Sequence, residues 1–159
     1  MTKDGNRECV VVGVDGSPAS ALAMAWAARY AKAMGATVRA VLAWHYPAQV
    51  GSAPVGVAPA VVTAKVEQAS RAELDKAVAA TFGDPPVVEV ERKVVYGHPS
   101  QVLIDESKDA DLLVVGSRGH GGFTGMLLGS VSEHCVSHAP CPVTVVRDAG
   151  DRVGDANPR

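Results

Sequence analysis

Between Gly116 and Ser130 the sequence reads GSRGHGGFTGMLLGS, a run whose first part, Gly116 to Gly125, intersperses glycines with small or polar residues, Phe123 excepted. Glycine tolerates positive φ and carries no Cβ, so successive backbone N–H groups can turn inward and form an anion-binding concavity. The residues that would line it are Val115, Gly116, Ser117, Arg118, Gly119, His120, Gly121 and Gly122. A helix beginning near Gly129 would add its unpaired first-turn amides, those of Gly129, Ser130 and Val131, and the hydroxyls of Ser130 and Ser132. Phosphate is the anion that such a loop suits. Arg118 and His120 either reach phosphate oxygens or stand as solvated loop charges.

The spacing narrows this reading. Gly116-x2-Gly119-x9-Gly129-Ser130 places two glycines after a short apolar run and a third, followed by a hydroxyl, ten residues later. The pattern resembles the universal stress protein family, whose nucleotide-binding members carry G-x2-G-x9-G-[ST]. The resemblance extends from Val10 to Arg147 and includes VVVGVDGS, ADLLVVGSRG and PVTVVR. It implies an ATP site, with cyclic AMP as the alternative ligand. It also implies that Gly13 and Trp44 lie beside the adenine, and that Val14-Asp15 closes the site from the first strand. Asp15 would accept from ribose hydroxyls or hold the water of a phosphate-bound Mg2+ or Mn2+; its other reading is a cap on the turn that follows. Trp44 replaces a small aliphatic residue of the archaeal pattern, and is expected to stack on the base or partly fill its pocket.

These segments need elements to position them. Cys9 to Val14, Thr37 to Trp44, Val87 to Val95, Leu112 to Val115 and Pro142 to Arg147 read as strands, rich in β-branched residues. Helices are expected after Ser17-Pro18 as far as Gly35, over Val61 to Phe82, over Pro99 to Lys108, and from Gly129 to His138. The segment from His45 to Pro59 is rich in Gly and Pro and reads as an irregular cover, and residues 149–159 as a disordered tail after one domain, 1–148. Strict alternation of strand and helix predicts a single doubly wound parallel sheet with helices on both faces. The resemblance supplies the order 3-2-1-4-5, a Rossmann-like arrangement of the adenine nucleotide alpha hydrolase type. Ligands in such sheets sit beyond the carboxyl ends of the strands where the order reverses, which here is between Asp15 and Gly116.

Composition sets outer bounds. The 159 residues suit one domain of the common size, about 100–150 residues. A net charge of −2 gives no bulk attraction for nucleic acid, and no segment approaches the roughly 18 apolar residues of a membrane span. With Cys9, Cys135 and Cys141 as its cysteines, the chain lacks a disulfide framework, and a cytoplasmic location is expected.

Other chemistries lack their residues. No lysine follows Gly129 as a P-loop requires, no GxGxxG follows the first strand, and no acidic pair or HxGH stands there. His134, His138 and Cys141 suggest zinc, but a closed site needs four ligands and Cys135 faces elsewhere on the helix. The histidines read instead as helix-end cations, and Cys135 as a small buried hydrophobe. The resemblance then implies a nucleotide-dependent switch in a stress response, hydrolysing ATP slowly if at all, with a slow ATPase or nucleotide-dependent enzyme as the alternative. The final strand, with Pro142, Val143 and Val145, is an edge whose unpaired backbone invites a homodimer.

Overall fold

A computed structural model describes residues 7–45, 59–119 and 128–148. The elements are β1 (Cys9–Val14), α1 (Pro18–Met34), β2 (Thr37–Trp44), α2 (Pro59–Phe82), β3 (Val90–Tyr96), α3 (Pro99–Glu106), β4 (Leu112–Gly116), α4 (Ser130–His138) and β5 (Val143–Val146). The strands form one parallel sheet in the order β3-β2-β1-β4-β5, as expected. Its order reverses between β1 and β4, where Val10, Val11 and Val12 pair with Leu112, Leu113 and Val114. The His45–Pro59 cover lies largely, and the 149–159 tail entirely, outside the described residues.

Strand side chains alternate between two cores. Val10, Val12 and Val14 of β1, with Val38, Ala40, Leu42 and Trp44 of β2, pack beneath α1 and α2. Val11, Val41, Leu113 and Val115 pack on the other face against Val102 and Leu103 of α3 and Cys135 of α4. Ala23, Ala27 and Ala31, all fully buried, let α1 lie close to the sheet. Ser17 caps that helix by accepting from the Ser20 amide at 3.1 Å. Gly35 ends it in the left-handed conformation, φ 67°, where a Cβ would be strained.

Several boundaries differ from the sequence reading by one to three residues, and two of the differences have a visible cause. β3 begins at Val90 instead of Val87, because the Val87 amide donates to the Phe82 carbonyl at 2.9 Å and stays tied to the end of α2. The third helix stops at Glu106, since Ser107 turns its hydroxyl back onto the Ile104 carbonyl at 2.8 Å.

Candidate functional site

The turn after β1 is held by its own side chains. Asp15 Oδ1 accepts from the Ser17 amide at 2.9 Å, and the Asp15 amide faces Ser20 Oγ at 3.4 Å. One carboxylate oxygen of Asp15 therefore organises the turn, as its capping reading expects, while the other lies against Gly119. A Cβ added to Gly119 would come within 2.7 Å of Asp15 Oδ2, so any side chain there would push the carboxylate from its present position. At Gly116 an added Cβ would strike the Ala19 backbone at 2.7 Å, which brings the start of α1 against the end of β4.

The glycine-rich loop is closed across its base. The Gly129 N–H donates to the Ser117 carbonyl at 2.6 Å, joining the exit of β4 to the entry of α4. This corrects one expectation: the Gly129 amide is committed to the loop, and the first-turn donors without an intrahelical acceptor are those of Ser130, Val131 and Ser132. Ser132 differs in a second way. Its side chain donates to the Gly116 carbonyl, so its hydroxyl fastens α4 to the sheet and is not offered to a ligand. Ser130, by contrast, is exposed at the helix start.

Beyond the ends of β1, β2 and β4 lies a cavity of about 540 Å3. Of the residues named from sequence, it gathers Gly13, Val14, Asp15, Val115, Gly116, Arg118, Gly119, Gly129, Ser130, Val131 and Ser132. Ser117 sits beneath the loop, 1% exposed, its hydroxyl without a hydrogen-bond partner among the described residues. His120, Gly121 and Gly122 fall outside the described residues.

Trp44 is not in the cavity. It is buried under the opposite face of the sheet, in the core with α1 and α2, and meets Tyr96 edge-on at 5.0 Å between ring centroids. Strand alternation explains this: Val41, Ala43 and then His45 share the parity that faces the cavity, while Leu42 and Trp44 face away. Val41, Ala43 and Leu103 supply its apolar wall, and Ser20 and Pro99 complete it. The wall was readable from the period-two pattern of β2 once its two faces were distinguished. His45 faces His98 across the mouth, their rings stacked at 6.4 Å, and His98 Nδ1 lies 3.0 Å from Ser100 Oγ.

A second cleft, of about 560 Å3, opens at the other end of the sheet between the end of α1 and the approach to β3. Its charged groups are already matched in part, Arg7 with Glu89 and Arg92 with Asp75. It lies at the amino ends of the strands, away from the reversal point.

Residues 7–147 match the model of the universal stress protein family. The chain belongs to that family. A universal stress protein of Mycolicibacterium smegmatis is 41% identical over 138 residues, which cover 87% of this chain and 45% of the relative. The chain thus spans about half the length of the curated relatives it matches. Among solved structures, the universal stress protein UspA from Lactobacillus plantarum superposes with a TM-score of 0.70 at 26% identity, covering 91% of this chain and all of that one. A universal stress protein in complex with cAMP superposes with a TM-score of 0.63, also at 26% identity, over 87% of this chain and 96% of that one. Among the described residues no helix is long and apolar enough to cross a membrane.

Proposed function

We propose that the cavity between β1 and β4 binds an adenine nucleotide, ATP above all, and that this universal stress protein works as a nucleotide-dependent switch in the cytoplasm. The observation that carries the reading is the closure of the loop. The Gly129–Ser117 hydrogen bond turns the strand-end glycines and the first turn of α4 toward one cavity. Its 540 Å3 falls within the usual range for small-molecule sites, about 300–1,000 Å3. Its two sides differ in a way that matches a nucleotide. Val41, Ala43, Leu103 and Val115 offer an apolar wall to a base, and the Ser130, Val131 and Ser132 amides with the Ser130 hydroxyl offer donors to phosphates. Asp15 stands between them, with one oxygen directed at the cavity side of Gly119, in reach of a ribose hydroxyl or a phosphate-bound Mg2+ or Mn2+. The cyclic nucleotide in the related structure supports the adenine part of the reading.

Cyclic AMP is the second reading, favoured by that same relative. The length of the Gly116-to-Ser130 loop favours several phosphates over one. Slow hydrolysis follows from the residues at hand. Fast phosphoryl transfer needs several cationic clamps and a positioned water, whereas among the described residues the cavity offers Arg118 and no lysine, and one oxygen of Asp15, the carboxylate there, is engaged with the Ser17 amide. Denaturing the purified protein and identifying the released nucleotide by mass spectrometry, followed by calorimetric titration of the emptied protein with ATP and with cyclic AMP, tests the proposal. ATP binding with weaker cyclic AMP binding is expected. Binding of neither would overturn it.

A further inference from the structure

We propose that His134 and His138, at the end of α4 remote from the cavity, form a two-imidazole chelate for a late first-row divalent cation such as Ni2+, Zn2+ or Cu2+. The two residues stand one turn apart, and side chains four positions apart share a helix face. Both are exposed, and their rings stack with centroids 4.3 Å apart and planes inclined by 27°.

The tautomer is set by the backbone. His138 Nδ1 lies 3.0 Å from the His134 carbonyl oxygen, and a carbonyl can only accept. That ring nitrogen therefore donates, and in the neutral ring Nε2 is the nitrogen whose lone pair a metal can take. An N–H donated to a carbonyl on one side and a free Nε2 on the other is the arrangement that surrounds metal-bound imidazoles, where it fixes the ring and raises its basicity. The position on the helix adds to it, since the carbonyl end of α4 carries partial negative charge that favours a cation.

The donor set narrows the cation. Imidazole suits Zn, Cu and Ni, and affinity rises along the late first-row metals, while Mg and Ca prefer oxygen. Cys135 contributes nothing, being fully buried against α3 and the sheet with its thiol held protonated by burial. Among the described residues no group of three or more His, Cys, Asp or Glu gathers to hold a metal, so water fills the other coordination positions. The site is an open chelate, unlike the closed zinc site considered from the sequence.

Calorimetric titration of the full chain with Ni2+ near neutral pH, with imidazole NMR signals followed in parallel, tests this. One saturable site is expected. His134→Asn and His138→Asn should each weaken it by at least about tenfold, because either change removes the chelate and leaves one imidazole. His98→Asn should leave it unchanged. Paramagnetic broadening should reach the His134 and His138 signals first. Both residues are exposed, so circular dichroism should report folded variants. Wild-type affinity in either single variant, or broadening that begins at other histidines, would overturn the chelate, as would the absence of a saturable site.

Discussion

The residue that separates packing from binding most sharply is Gly119. Valine there would drive its Cβ into the Asp15 carboxylate, since even the first carbon would lie 2.7 Å from Oδ2. Gly119→Val is expected to weaken ATP binding by at least tenfold, about 1.4 kcal/mol, in a protein that still folds. Unchanged affinity measured by calorimetry would remove the loop from the site. Ser130→Ala deletes one hydrogen bond to a charged group and should cost about 1.5–3 kcal/mol of binding, with the melting temperature of the nucleotide-free protein nearly unmoved. Trp44 gives the opposite pattern. Its burial beneath α1 and α2 predicts that Trp44→Ala lowers stability by about 3–5 kcal/mol in denaturant titrations, while ATP affinity in the folded fraction stays the same. The glycine spacing and Asp15 were legible in the sequence because their constraint is local: backbone approach, a turn, a helix start. Trp44 departs from the resemblance because strand parity turns it away from the cavity, and Ser132 because a hydroxyl in the first turn of a helix serves a ligand or a carbonyl with the same sequence signal.

At the scale of elements, α4 has its first turn at the cavity and its middle against the sheet through Cys135. Burial pushes that thiol up from 9.0 to about 11. Below 9.0 both folded and unfolded chains hold the proton, so the contribution is fully present; between 9.0 and about 11 the unfolded chain loses it first and stability falls as pH rises. The stability advantage of wild type over Cys135→Ala should therefore shrink by about 2–3 kcal/mol over that interval, read from denaturant midpoints. An advantage constant with pH would mean that Cys135 is reached by water. Strand and helix order was readable throughout, since buried parallel strands are short β-branched runs and the helices carry clear start signals at Ser17-Pro18 and Pro99. The start of β3 was not. Val87 and Val88 have strand composition, and what removes them is the hydrogen bond from Val87 back to Phe82, a tertiary closure that composition does not encode.

For the whole molecule, the proposed homodimer turns on the two edges of the sheet. The Pro142 and Val146 carbonyls accept from Leu113 and Ser117, so residues of even number in β5 face β4. Val143 and Val145 consequently direct their N–H and C=O groups outward. Val145→Pro removes an outward donor and leaves the β4 ladder whole, because no inward hydrogen bond is lost. Sedimentation is expected to give a dimer for the wild type and a monomer for Val145→Pro; a wild type that is monomeric at micromolar concentration would exclude pairing through β5. Val145→Lys should act in the same direction, with some added loss of stability, because Val145 also packs on the core beneath α3 and α4. The other edge is unlike it. β3 presents Glu91, Arg92 and Lys93 in succession, and charged side chains on an edge discourage a further strand. In the proposed dimer, a sheet with one open edge and one guarded edge would have a valence of one: two copies would saturate each other, and higher concentration would fill pairs without lengthening them into fibres.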